Sequence, residues 1–152
     1  MARHARKTLY IDISTLCRPF DDQSLRRIRI ETDAYYLILQ ALHERKYAMI
    51  VSPVHIEEAN AISDTEERRE ILAVLEALGT AAKCDVAATR ARAEFLQLRN
   101  FGIADAAHVA FAEASADVFI TCDDRLVRKC RREKVGVTTV NPVEFTIAED
   151  LR

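Results

Sequence analysis

Short apolar runs that alternate with long helical stretches predict an α/β fold of three layers, helices on both faces of a central parallel sheet. Two further observations support this class. The 152 residues carry 49% hydrophobic and 30% charged side chains, ordinary values for one globular domain with a sizeable core. Consecutive strands separated by helices also need crossover connections, which make neighbouring strands parallel.

The elements follow in order. Thr8–Ile13 reads as the first strand. A long helical region spans Asp22–Arg45, where Ala34, Leu37, Ile38, Ala41 and Leu42 form one apolar stripe. Ala48–Val51 is the second strand. Ser52 then caps a helix with Pro53 at its first position, running to about Ile62. Asp64 or Thr65 caps the next helix, which carries Ile71, Val74, Leu75 and Leu78 and stops at Gly79. A weak strand is expected near Lys83–Val86. Helices follow over Thr89–Leu98 and Asp105–Ala114, broken at Asn100-Phe101-Gly102. Val118–Thr121 is a strand, Arg125–Glu133 a helix and Val137–Val140 the last strand. Asn141-Pro142 should end it in a turn, so a single domain is expected over 1–147 with a tail over 148–152.

Composition narrows the function classes. Three Gly and three Pro exclude collagen-like and Pro- or Gly-rich disordered chains. A net charge of −2 excludes a strongly basic nucleic-acid coat, so any nucleic-acid contact must come from local patches. Cys17, Cys84, Cys122 and Cys130 form no C-x-x-C pair and are expected to be reduced, buried thiols of a cytoplasmic protein. The basic start (Arg3, His4, Arg6, Lys7) is followed by an apolar run that stops at Asp12, too short for a signal peptide. No segment approaches the roughly 18 apolar residues of a membrane span.

In open α/β sheets, ligands bind beyond the carboxyl ends of the strands. Acids fall there repeatedly. Asp12 ends the first strand, Asp123 follows the Val118–Thr121 strand, Asp105 opens a helix, and Glu57 and Glu58 lie in the helix leaving the second strand. Any single acid is explained by capping a helix or favouring its dipole. Glu58 resists that explanation, because it shares a stripe with Val54, Ala61 and Ile62 and so points toward the core; Glu57 lies about 100° away and faces solvent. Two carboxylates about 5 Å apart repel by roughly 3 kcal/mol at an effective dielectric of 20. Four in one cleft call for a counter-charge, and Mg²⁺ or Mn²⁺ with oxygen ligands is the natural one. Such an ion polarises a phosphodiester and activates water, which points to metal-dependent phosphodiester hydrolysis.

The segments LYIDISTL, IVSPVHIEEAN, GIADAAHVAFA, VFITCDDRLVRKC and VNPVEF, in this order, resemble the PIN-domain family, especially stand-alone ribonucleases of the VapC toxin type. The resemblance implies a three-layer α/β/α PIN-like domain and a Mg²⁺- or Mn²⁺-dependent endoribonuclease. It matches Asp12, Glu58, Asp105 and Asp123 to the family's acidic cluster, with Asp12, Asp105 and Asp123 as metal ligands. Thr121 matches the hydroxyl residue beside the metal, and is equally explained as a β-branched strand residue. Ser14 and Thr15 stand where the family usually has Asn or another polar side chain. The resemblance further implies RNA as substrate, a homodimer and a separately encoded antitoxin. The alternative is a non-catalytic PIN-like module that binds RNA or protein. A phosphoacceptor receiver domain fits less well, since Asp12 lacks an acidic neighbour and no lysine follows the last strand.

Arg125, Arg128, Lys129, Arg131, Arg132 and Lys134, less Glu133, put a local +5 after Asp123. This is either a solvated helix face or, through Arg125, Arg128 and Arg132, a hold on RNA phosphates, extended by Arg18, Arg26, Arg27 and Arg29. His108, one turn after Asp105, either orients that carboxylate or is a packed, satisfied histidine. His55 is expected to be exposed, Asp117 to serve a turn and Asp124 to have a minor role. Ile28, Tyr35 and Leu39 lie beyond the stripe of the long helix and could serve a dimer or antitoxin contact.

Overall fold

The computed structural model describes residues 5–152; Arg3 and His4 lie outside the described residues. Five parallel strands form one sheet: β1 (Thr8–Ile11), β2 (Ala48–Val51), β3 (Gly79–Ala81), β4 (Val118–Ile120) and β5 (Thr138–Val140), in the order β3-β2-β1-β4-β5. The helices are α1 (Ile13–Leu16), α2 (Arg26–His43), α3 (Pro53–Asn60), α4 (Thr65–Leu78), α5 (Val86–Leu98), α6 (Ile103–Ser115), α7 (Asp124–Arg132) and α8 (Pro142–Ala148), with a 3₁₀ turn over Arg18–Phe20. This is the three-layer α/β fold expected.

Alternation along β1 sorts the core. Leu9 and Ile11 face a cluster with Leu16, Ile38, Leu42, Ile71, Leu75 and Phe145, so α1, α2, α4 and α8 cover that side. Tyr10 points the other way, into Leu96, Phe101, Val109, Phe119 and Leu126 from α5, α6, β4 and α7. Both faces are covered, which is why the strands read as continuous apolar runs. No helix of the described residues is long and apolar enough to cross a membrane.

Five expectations are corrected. The first strand ends at Ile11, because Asp12 caps a short helix that already contains Ile13. The edge strand is Gly79–Ala81 rather than Lys83–Val86. Gly79 ends α4 and begins β3 at once, and a Cβ there would lie 2.4 Å from Leu75 O and 2.2 Å from Val51 Cγ2. Asn141-Pro142 begins a helix instead of a turn: Asn141 Oδ1 accepts from Glu144 N at 2.8 Å while Glu144 Oε1 accepts from Asn141 N at 3.2 Å. That helix packs on α2. Tyr35 is buried and Leu39 packs on the core, so neither is spare for another contact. All four cysteines are free thiols, with Cys122 and Cys130 buried but Cys17 and Cys84 only partly so.

Candidate active site

The strand order reverses at β1: the chain runs outward through β2 and β3, then returns to place β4 on the other side. That reversal point, at the carboxyl ends of β1 and β4, is where such sheets bind ligands. Asp12 and Asp123 flank it. Asp12 N donates to Ile120 O at 3.1 Å and Thr121 N donates to Val140 O at 3.0 Å, so the ladder runs right up to both acids.

Asp12 is buried and caps α1. Its Oδ1 accepts from Ser14 Oγ at 2.8 Å, Thr15 N at 3.1 Å and Thr15 Oγ1 at 3.0 Å, and its Oδ2 accepts from Thr121 Oγ1 at 2.6 Å. Ser14 and Thr15 therefore hold this carboxylate directly. Burial pushes the Asp12 carboxyl up from its ordinary range, and the hydroxyl donors of Thr121 and Ser14 partly counter it. Thr121, fully buried, also accepts from Asp123 N at 3.1 Å.

Asp123 caps α7, with Oδ1 accepting from Arg125 N at 2.9 Å and Leu126 N at 3.2 Å. Asp105 stands in the first turn of α6, half-buried. Burial raises its carboxyl first, then the charges of Asp123 and Asp12, so both of these acids lie within electrostatic reach of Asp105. None of them forms an ion pair with a cationic side chain among the described residues.

Glu58 differs. The buried face of α3 is His55 and Ala59, so Glu58 stands at the boundary of the core rather than pointing into it; Ala61, expected on its stripe, is the exposed C-cap. Its Oε1 accepts from His108 Nε2, which holds the carboxyl below its ordinary range. His108 thus binds Glu58 and not Asp105. Its Nδ1 is 2.6 Å from the Tyr10 hydroxyl, which is itself 2.6 Å from Ser52 Oγ. His55 is fully buried, contrary to expectation. Its Nδ1 accepts from Ser52 N at 3.0 Å and its Nε2 donates to Ile11 O at 2.7 Å, an arrangement only the neutral ring can make. Burial accordingly lowers it to about 4.

Tyr10, Ser52 and His55 were not singled out as site residues from the sequence. One signal was there: a tyrosine inside an apolar strand must find a partner for its hydroxyl. Glu57 faces solvent. Asp117 accepts from Thr8 N at 2.8 Å and Thr8 Oγ1 at 3.0 Å, tying a turn to β1. Asp124 pairs with Arg27 at 2.6 Å.

The basic residues divide. Arg125, Arg128, Arg131 and Arg132 of α7 are exposed, while Leu126, Val127 and Cys130 face inward. Arg131 pairs with Glu144 and Arg132 with Glu133. Arg125 and Arg128 make no ion pair among the described residues. Arg18 is held by Asp21 and Glu31, and Arg27 by Asp124 and Glu31, so these two are already engaged; Arg26 and Arg29 are exposed.

A divalent cation can be tested against this donor set. Among the described residues, no three His, Cys, Asp or Glu side chains are arranged as they stand to hold a metal ion. Asp12 accounts for part of this, since both its oxygens are turned to hydroxyl and amide donors. The chemistry of the set does fit a hard cation: carboxylate oxygens, with Asp123 and Asp12 raising the Asp105 carboxyl, Lys129 acting on Asp105 only at a distance, and no ion pair to any of the three among the described residues.

No protein-family model and no curated protein matches the chain. Two of the solved structures that share its fold are informative. One is VapBC2 from Rickettsia felis bound to a DNA fragment from its promoter, with TM-score 0.55, 12% identity, and 88% of this chain and 98% of that chain covered. The other is FitAcB from Neisseria gonorrhoeae, with TM-score 0.51, 16% identity, and 88% and 97% covered. The fold is thus the one that the resemblance to PIN-domain proteins of the VapC type implied.

Proposed function

We propose that this chain is a metal-dependent endoribonuclease, the toxin of a toxin–antitoxin pair. One observation carries the reading: Asp12, Asp105 and Asp123 lie beyond the carboxyl ends of β1 and β4 or at a helix start beside them, and among the described residues none of them is ion-paired to a cationic side chain. Asp12, Asp105 and Asp123 would hold Mg²⁺ or Mn²⁺, which supplies Lewis acidity toward a phosphodiester and lowers the pKa of water. Thr121 holds Asp12 and, by accepting the Asp123 backbone N–H on its hydroxyl, the start of α7. Glu58 faces the same edge with one oxygen engaged, and orients the attacking water. Arg125, Arg128 and Arg132 hold backbone phosphates beside the site.

The shared fold with VapBC2 and FitAcB supports a separately encoded antitoxin, and the sequence resemblance supports a cytoplasmic homodimer. The alternative, a non-catalytic RNA- or protein-binding module, is favoured by the absence of a preformed three-carboxylate metal group among the described residues. Cleavage of labelled mixed RNA with EDTA, then with Mg²⁺ or Mn²⁺, separates the two. Asp12→Asn, melted with and without the ion, supplies the control. Loss of the metal response in this variant supports the assignment; an unchanged response removes Asp12 from the ligand set.

A further inference from the structure

Four polar side chains behind the acidic edge form one continuous chain: Ser52 Oγ, Tyr10 hydroxyl, His108 ring, Glu58 carboxylate. The first three are buried, at 1%, 0% and 3% exposure, whereas the Glu58 side chain is 36% exposed. The chain therefore has a fixed inner end and a solvent-facing outer end. A carboxylate only accepts, so His108 Nε2 carries the hydrogen of the outer bond. In the neutral ring, Nδ1 then accepts from Tyr10, whose oxygen accepts from Ser52. Burial raises the Tyr10 phenol well above its ordinary range, so it keeps its hydrogen for this bond.

We propose that His108 is a positioning residue: with Tyr10 and Ser52 behind it, it fixes the Glu58 carboxylate at the edge of the acid site. The proposal rests on the ribonuclease reading for its consequence, but not for its geometry. Glutamate has three freely rotating side-chain bonds and would otherwise sample solvent at the end of α3. The His108 bond occupies Oε1, leaving Oε2 with no partner among the described residues. Asp12 and Asp123 are held by hydroxyl and amide donors instead, so Glu58 alone of the four acids is anchored by an imidazole. That separates its task from theirs: a fixed acceptor for the attacking water, set by a relay that begins in the core.

A packing role and a positioning role predict opposite orders among variants. Leucine at 108 fills apolar space but cannot donate; glutamine can donate from nearly the position of Nε2. His108→Leu is expected to lower kcat on labelled RNA by roughly 10–100-fold with KM little changed, the usual cost of losing a partner behind a functional carboxylate. His108→Gln is expected to recover most of that loss, although it melts no higher than the leucine variant. In a Glu58→Gln background, His108→Leu should cost nothing further. Tyr10→Phe, which keeps the ring and removes the hydroxyl, serves as a second variant should leucine at 108 fail to fold, and is expected to lower kcat in the same sense.

Proton NMR of the full chain with ring-labelled histidines reads the link without any nuclease activity. An exchange-protected His108 Nε2–H resonance that moves upfield in Glu58→Gln supports the proposal. Its absence, or its indifference to Glu58→Gln, overturns it, as does wild-type turnover in His108→Leu. If the wild-type chain cleaves no RNA with either ion, the ribonuclease reading falls, and the ring resonance alone decides the positioning of Glu58.

Discussion

Thr121 donates its hydroxyl hydrogen to Asp12 Oδ2 at 2.6 Å from a fully buried position at the end of β4. Thr121 Oγ1 in turn accepts the Asp123 backbone N–H at 3.1 Å, so one small side chain joins two of the acids. Thr121→Val keeps the shape and removes both bonds. It should destabilise the fold by about 1–3 kcal/mol, the cost of leaving a buried acceptor unpaired, while Thr121→Ser should lose much less. Urea denaturation of the two variants measures the difference; equal stability of valine and wild type would show that this bond contributes nothing.

His55 gives the fold a defined acid sensitivity. Its folded-state value is lowered from 6.5 to about 4, so the neutral ring is the native form. Its contribution is complete above about pH 6.5 and is lost as pH falls through that value toward 4, by about 3 kcal/mol in all. Stability measured across this window should fall less steeply in His55→Gln than in wild type. Parallel curves would mean that His55 does not stay neutral in the native state.

Asp123 carries two separable tasks. Its carboxylate caps α7 through Arg125 N and Leu126 N. Asp123→Ala should cost about 1 kcal/mol of stability, whereas Asp123→Asn retains a capping oxygen and should cost only tenths. Both should abolish turnover on RNA under the proposed function, because neither supplies an anionic ligand. An active asparagine variant would remove Asp123 from the catalytic set.

The exposed face of α7 is tested by salt. Replacing Arg128 and Arg132 by alanine should weaken RNA binding and flatten its dependence on salt. For two phosphate contacts on a single strand, the slope should fall by about 1.4. Turnover at saturating RNA should change little. An unaltered slope would leave these arginines as a solvated helix surface, with Arg132 satisfied by Glu133.

Much of the architecture is legible in the one-dimensional pattern. The β2 strand, the Ser52-Pro53 start of α3, the buried stripe of α2 and the amphipathic α7 all follow from local rules of period, capping and turn chemistry. Those rules act between residues close in sequence, so the chain states them openly. The local positions of Asp12, Asp105 and Asp123, at helix N-caps or in a first turn, are legible in the same way.

Tertiary structure decided what those acids touch. The bond from Thr121 to Asp12 spans 109 residues, the His108–Glu58 bond 50 and the Tyr10–His108 bond 98. No local period encodes such a partner. His55 looked like an exposed first-turn residue, yet the packing of α3 over β1 buries it against Ile11. Glu58 looked core-facing, yet the same packing turns Ala59 inward and leaves Glu58 at the rim. A change of a fraction of a helical turn in how α3 seats on the sheet interchanges those two faces. Local pattern places a polar group at an edge, and only the seating of layers settles its exposure and its partner.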